Sequence, residues 1–282
     1  MAGSYFPRWR ERTDGVAAGV IAPDERLPWP QMGAMGLQHV VAMFGSTVLA
    51  PLLMGFDPNL AIFMSGIGTL LFFVIVGGRV PSYLGSSFAF IGLVIAVSGY
   101  AGPGLNANIG VALGGIIACG VVYTLIGFLV MAMGTGWIER YMPPVVTGAV
   151  VAVIGLNLAP IAVKSVTANP FDAWMALATV LCVGAVAVFT RGMVQRLLIL
   201  IGLLLAYVLY AVLTNGAGLG KPIDFSTVAN AAWLGMPSFT SPPFGLDAME
   251  LIGPVVVILV AENLGHIKAV SAMTGQNLDP YM

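Results

Sequence analysis

The chain has 282 residues, of which 59% are hydrophobic and only 8% are charged. Soluble domains carry about 25% charged residues, so a water-soluble fold of this composition would expose too much apolar surface. The formal net charge of -1 provides no basic surface for nucleic acid, and the two cysteines lie far apart without the CxxC spacing of a metal site.

Eight apolar segments are long enough, or nearly so, to cross a bilayer, which requires about 20 residues. They are residues 31–53, 59–77, 88–100, 108–133, 144–163, 172–190, 196–214 and 248–272. The third segment is short, and the eighth is interrupted by polar residues. Residues 1–28 are polar and contain no signal-peptide pattern, so we expect a cytoplasmic tail. The pattern predicts an all-α polytopic membrane protein.

The distribution of cations predicts the orientation. With a cytoplasmic N-terminus and eight crossings, every lysine and arginine except Lys164 and Lys221 lies on the cytoplasmic side. This distribution follows the positive-inside rule. We therefore predict a multi-pass protein of the inner (plasma) membrane, with the lipid bilayer around its spans and its N-terminus in the cytoplasm.

Ionisable residues inside spans are functional candidates by default, and the strongest here are Glu262 and His266. They are four residues apart and therefore share one helix face. Burial penalises a charged carboxylate, so Glu262 could take up and release a proton, with His266 holding or orienting it. The carboxylate could also accept hydrogen bonds from the N–H groups of a uracil or purine edge. The alternative is a structural pair that fixes helix packing. The apolar run leaves open whether Glu262 lies at mid-span or nearer the cytoplasmic end.

The second candidate is the polar start of the third segment, residues 79–90, which contains Pro81 and Gly85. Transporters often bind ligands where a span is broken and its backbone groups are exposed. Ser87 and Phe88 stand at the expected break, where an aromatic ring could stack on a planar base. The alternative is a short helix with a polar entrance.

Other polar residues in spans have less specific interpretations. Gln38 and His39 lie inside the first span, where His39 could contact ligand or pair with a neighbouring helix. Thr147 and Asn157 are expected to form hydrogen bonds between helices. The sequence contains no HExxH or GxSxG motif, no paired aspartate motif and no Walker lysine, so we predict no enzyme, no metal site and no cofactor.

Several of these residues also carry a family resemblance. Residues 38–45, QHVVAMFG, resemble the first-helix signature of the nucleobase–ascorbate transporter family, also called nucleobase:cation symporter-2. Residues 81–91, PSYLGSSFAFI, resemble the third-segment motif of its bacterial uracil permeases, and residues 261–266, AENLGH, resemble its eighth-helix motif. Residues 134–137 and 148–156 resemble further family blocks. The resemblance runs from about Pro28 to the end of the sequence.

The resemblance implies a fold of 14 spans arranged as two inverted repeats of seven, with a short strand before the third helix. A core domain contains spans 1–4 and 8–11, and a gate domain contains the others. The expected divisions are the tail 1–28, core spans 29–133, gate spans 134–214, an external loop 215–247 and the start of the second repeat, 248–282. We expect an incomplete permease, because the sequence ends just after span 8.

The resemblance also implies the roles of site residues. Glu262 would hydrogen-bond the nucleobase. Ser87, Phe88 and His266 would complete the binding site, and Glu262 with His266 would couple transport to a proton. Gln38 and His39 are possible supports. The expected function is proton-coupled uptake of uracil or a related pyrimidine, with a possible homodimer formed through the gate domain.

Alternative functions remain at this stage. They are a purine or xanthine permease of the same family, an anion transporter of the same fold, and a truncated, non-transporting partner subunit. An anion carrier should present a cation or bare helix N-termini at its site, and Glu262 argues against a bare anion.

Overall fold

The computed structural model describes residues 5–12, 20–100, 104–167, 169–233, 235–237 and 239–281. The strands are β1 (Arg10–Glu11) and β2 (Glu25–Arg26). The α-helices are α1 (Trp29–Ala42), α2 (Ala50–Leu53), α3 (Pro58–Ile75), α4 (Phe90–Ser98), α5 (Ile109–Met133), α6 (Gly136–Tyr141), α7 (Pro144–Val166), α8 (Pro170–Phe189), α9 (Met193–Arg196), α10 (Leu198–Ala211), α11 (Ser226–Ala229), α12 (Leu246–Ile252) and α13 (Val255–Thr274). Two π-helical turns, Gly45–Leu49 and Val212–Gly216, and a 3-10 turn, Asp279–Tyr281, complete the elements.

The described residues contain six helical stretches long and apolar enough to cross a membrane. They are Pro58–Ile75, Ile109–Met133, Pro144–Lys164, Pro170–Phe189, Leu198–Gly216 and Leu246–Thr274. A pair bent by 42°, Trp29–Ala42 with Gly45–Leu53, can supply a seventh. The protein is therefore a mostly helical, multi-pass membrane protein. A count of eight crossings additionally requires the segment that contains α4 to cross.

The third segment is broken, as its polar start indicated. Helix α4 contains nine residues and is about 13 Å long, less than half of the roughly 30 Å hydrocarbon core. Gly99 ends it in the left-handed conformation, at φ 63°. Residues 81–87 form neither helix nor strand. The strand expected before α4 is therefore absent from the described residues, because a strand needs a partner for its hydrogen-bond ladder and none lies beside this segment.

The break is held between two neighbouring helical segments. The Leu84 amide donates to Thr69 Oγ1 of α3 at 3.0 Å. On the other side, a Cβ atom at Gly85 would lie 2.6 Å from Ser46 Oγ in the first π-helical turn. Glycine is needed there because any side chain would push the segment away from the helix.

The N-terminal tail is folded where the structure describes it, which its polar composition did not predict. Strands β1 and β2 pair in parallel, with Arg10 opposite Glu25, and the Arg10 guanidinium contacts Asp24 at 2.7 Å. The hydrogen bond from Arg10 holds the pKa of the Asp24 carboxyl below its ordinary value. Residues 1–4 and 13–19 of the tail lie outside the described residues.

The same tail contacts the C-terminal end of α3. The Tyr5 hydroxyl lies 2.7 Å from the Val74 carbonyl oxygen and 2.6 Å from that of Ile75, at the end of the helix where carbonyl groups can accept from side chains. The rings of Phe6 and Trp9 stack on Phe73, with centroids 5.7 and 6.1 Å away. These contacts attach the tail to the second span.

The buried core lies where α4, α5, α12 and α13 meet. Its fully enclosed side chains include Ile91, Val94, Cys119, Ile252 and Val255. Helices α5 and α12 approach closely because α5 carries glycines at the contact. A Cβ atom at Gly115 would lie 2.5 Å from the Ala248 carbonyl oxygen and 2.9 Å from Ile252 Cβ. This packing fixes α12 and α13 against the helices that follow the break.

We predict that Gly115→Ala destabilises the protein, because the added methyl group would overlap a backbone oxygen and force α5 and α12 apart. Overpacking of this kind costs about 1–3 kcal/mol. Gly120→Ala is the matched control, since a Cβ atom at Gly120 would meet nothing within 4 Å. Thermal unfolding of the two variants in detergent should show a lower transition temperature for Gly115→Ala alone. Equal transition temperatures would contradict the close packing of α5 and α12.

Candidate functional site

The position of Glu262 is settled by the length of its helix. Helices α12 and α13 form one apolar stretch, Leu246–Thr274, and Glu262 lies near its middle. The helix continues through the polar residues that made its end ambiguous in the sequence. Glu262 is half-buried, and Ala261 beside it is buried. A carboxylate is thus held at mid-span, where charge is costly and usually functional.

Ser87 connects the broken segment to this carboxylate. The Ser87 hydroxyl donates to Glu262 Oε2 at 2.8 Å. The same hydroxyl oxygen accepts a hydrogen bond from the Ala89 amide at 3.3 Å, in the turn that leads into α4. Hydrogen bonds to an ionised group are stronger than neutral ones. The pair therefore positions both the acid and the start of α4.

The Glu262 carboxylate retains capacity for a ligand. Among the described residues, Ser87 is its only hydrogen-bond partner. A carboxylate offers two oxygens and about four acceptor positions, so most of them are unused. The amide N–H of Phe88 likewise donates to no described group. A free acceptor and a free backbone donor therefore come from distant parts of the chain and are brought near each other, because Phe88 directly follows Ser87, which bonds Glu262.

The ring of Phe88 lies against the bent first helix. A Cβ atom at Gly45 would lie 3.6 Å from Phe88 Cζ, which is ordinary contact distance. Gly45 begins the π-helical turn that accompanies the bend between α1 and α2. Such turns widen a helix and often occur at functional sites. The bend and the aromatic ring thus form one side of the break.

His266 is not joined to Glu262. The two residues lie one turn apart on α13, but no ion pair or hydrogen bond between them occurs in the structure, and His266 is exposed. In this conformation Ser87 bonds the carboxylate, and the role of His266 beside Glu262 stays a prediction. The separation arises because side chains at this spacing share a face without being forced into contact.

His39 and Gln38 are neighbours on α1, and His39 contacts the broken segment. The His39 ring contacts Tyr83 edge-on, with ring centroids 5.4 Å apart, and the Tyr83 hydroxyl lies 3.1 Å from Thr47 Oγ1. Gln38 Oε1 is buried without a partner among the described residues. His39 therefore contacts the non-helical segment that carries Ser87, and its role as ligand contact or as partner of a neighbouring helix stays a prediction.

An apolar cavity of about 630 Å³ lies beside the break. The first turns of α4, beginning with Phe88, form one wall, and the face of α7 from Val146 to Ile161 forms the opposite wall. Ile258, one turn before Glu262, brings α13 to the cavity. The cavity is thus bounded by the same elements that hold the Ser87–Glu262 pair.

The sequence did not identify Tyr123 as part of this region. Its side chain on α5 packs against the buried core that α5 shares with α12 and α13. The sequence feature that could have identified it is a tyrosine inside an otherwise apolar helix.

Thr147 forms no hydrogen bond to another helix among the described residues. Instead, its methyl group packs against Gly265, where an added Cβ atom would lie 2.8 Å from Thr147 Cγ2.

We predict that Ser87 and Glu262 are energetically coupled. In a double-mutant cycle of Ser87→Ala and Glu262→Ala, the effects on thermal stability should be non-additive, because either change removes a hydrogen bond to a charged group worth about 1.5–3 kcal/mol. Ser86→Ala is the control, since Ser86 makes no hydrogen bond to a described group. Additive effects in both cycles would show that the Ser87–Glu262 contact does not form.

Comparisons with known proteins agree with this architecture. A family model described as Permease family matches residues 30–282. The chain is 67% identical over 282 residues to the putative pyrimidine permease RutG of Escherichia coli K12, covering 100% of this chain and 64% of that protein. It is 40% identical over 270 residues to a uracil permease of Paenibacillus larvae, covering 92% of this chain and 61% of that protein.

The E. coli K12 uracil permease is also similar, at 36% identity over 266 residues, with 92% of this chain and 59% of that protein covered. The chain therefore spans about three-fifths of the length of these relatives. It belongs to the permease family, whose members are transport proteins and not enzymes.

Proposed function

We propose that this permease-family chain forms the part of a proton-coupled transporter that takes up uracil or a related pyrimidine across the inner membrane, with its N-terminus in the cytoplasm. The observation that carries this proposal is the mid-span carboxylate of Glu262, bonded to Ser87 at 2.8 Å beside an apolar cavity. The names of the relatives, pyrimidine permease and uracil permease, support the substrate class.

The chemistry of the break fits a planar base with both donors and acceptors. A uracil ring presents N–H groups, which the free acceptor positions of Glu262 can bind. It also presents carbonyl oxygens, to which the unpaired amide of Phe88 can donate. The Phe88 ring and the aliphatic cavity wall suit the two apolar faces of the base.

The cavity favours a neutral ligand over an anion. The described residues that line it include no lysine or arginine. Lys268, the cation nearest to Glu262 along α13, is bonded instead to Glu139 of α6 at 2.8 Å. An anion bound between this cavity and Glu262 would lie near a carboxylate without a compensating cation among the described lining residues, which burial makes costly. Binding a neutral nucleobase does not carry this electrostatic cost.

Protonation of Glu262 provides a physical route to coupling. The ionised carboxylate accepts from Ser87, and adding a proton would weaken that charge-assisted bond. The contact between α13 and the broken segment would then loosen. His266, exposed one turn further along α13, is suited to pass the proton on.

The packing contacts between helices support a division of the protein into two domains that would move relative to each other during transport. Helices α2, α4 and α5 share one buried core with α12 and α13, and together with α3 they would form the core domain. Helices α7, α8 and α10 would form the gate domain, in which a Cβ atom at Gly202 of α10 would lie 2.7 Å from Val183 Cα of α8. Two copies of the protein would form a homodimer through this gate domain.

Uptake of labelled uracil tests the substrate site directly. In cells without other uracil transporters, expressing the complete reading frame that contains this sequence, Glu262→Gln should lower uptake at limiting uracil by about 10- to 100-fold. The reason is the loss of a charged acceptor worth about 1.5–3 kcal/mol.

Glu250→Gln is the matched control, because Glu250 is an exposed acid in the same helical stretch. It should leave uptake unchanged at equal membrane abundance. Undiminished uptake by the Glu262→Gln variant would remove Glu262 from the mechanism, and absence of uracil uptake in the wild type would remove the proposed substrate.

Proton coupling has a separate test. A protonophore should abolish the accumulation of uracil above its external concentration, while still permitting equilibration, because a neutral base has no other driving force in this scheme. Wild-type cells with and without the protonophore, at matched external pH, supply the comparison. Accumulation that persists after the proton gradient has collapsed would exclude proton symport.

A further inference from the structure

Among the described residues, the wall of the cavity opposite the break contains one side chain able to make specific hydrogen bonds. It is Asn157 of α7. Every other described residue that lines the cavity is aliphatic, glycine or the aromatic Phe88. Asn157 is exposed, and its amide makes no hydrogen bond to any described group.

An unpaired amide is unexpected inside a membrane span. Asparagine in such helices usually bonds across to a neighbouring helix, because lipid offers no partner. The sequence suggested that role for Asn157, but the structure directs the residue to the cavity instead. Its amide therefore has both its acceptor and its donors available to whatever occupies that space.

The amide complements the chemistry of Glu262. An ionised carboxylate only accepts hydrogen bonds, so it can bind an N–H group of a base but not a carbonyl group. The Asn157 amide can donate to a carbonyl. Phe88 connects the two groups spatially, because it lines the cavity with Asn157 and follows Ser87, which bonds Glu262.

We propose that Asn157 is a specificity-determining residue that donates a hydrogen bond to a ring carbonyl of the transported base from the α7 side. This inference rests on the proposed function and adds a contact to it. The base would be bound at one edge by Glu262 and would present a carbonyl to Asn157. Binding would then depend on a carbonyl acceptor at that position as well as on the N–H groups.

The test uses two substitutions of similar size in cells expressing the complete reading frame. Asn157→Leu removes the donor and the acceptor, and Asn157→Asp replaces the donor with an acceptor. Val153→Ala is the control, because Val153 lines the cavity one turn away and alters its volume without altering hydrogen bonding. Each variant is normalised to its membrane abundance.

The readouts are the KM for uracil and the inhibition constants of 2-thiouracil and 4-thiouracil, in which sulfur, a weaker acceptor, replaces one carbonyl oxygen. A lost neutral hydrogen bond of about 0.5–1.5 kcal/mol corresponds to a rise of about 2- to 12-fold in KM. Asn157→Leu and Asn157→Asp should both show this rise, with the larger effect for Asn157→Asp, and Val153→Ala should leave the ratio of the two inhibition constants unchanged.

The thio-analogues separate a direct contact from a structural effect. The wild type should bind one of the two analogues more weakly than the other. Asn157→Leu should bind both with similar inhibition constants, because it has no donor to bond the substituted position. Unchanged discrimination in Asn157→Leu, or an equal change in Val153→Ala, would overturn the role of Asn157. Failure of the wild type to transport uracil would instead contradict the proposed function.

Discussion

The hydrogen bond between Ser87 and Glu262 joins two parts of the chain that are 175 positions apart. Each part is difficult to place in a bilayer alone. A carboxylate at mid-span needs a donor, and a segment without helical hydrogen bonds must be enclosed by protein. The hydrogen bond supplies the carboxylate with a donor and holds the non-helical segment against protein. It also leaves the remaining acceptor positions of Glu262 without a partner among the described residues.

The rest of the fold holds these two parts in place. Thr69 binds the backbone of the broken segment, and the absence of a side chain at Gly85 lets it lie against the first helix. Tyr83 fixes it further through Thr47 and His39. Glycine contacts between α5 and α12 then set the position of α13. A rigid site thus results from ordinary packing in the surrounding helices, as preorganised binding requires.

The sequence predicted the helices well, because apolar length is a strong signal in membranes. It also identified the broken segment and Glu262, since Pro81, Gly85 and a mid-span acid are exceptional there. It could not predict the tail contacts of Tyr5 with α3 or the ion pair between Lys268 and Glu139, which depend on long-range geometry. Asn157 was assigned to helix packing because spacing alone does not show whether a polar residue faces a helix or a cavity.

We propose that the base binds on the Glu262 side of the break. An experimental structure of the complete protein with uracil bound tests this most directly. A ring nitrogen of uracil should lie about 2.7–3.2 Å from a carboxylate oxygen of Glu262, with the ring against Phe88. Uracil bound elsewhere, with Glu262 still bonded to Ser87 alone, would contradict it.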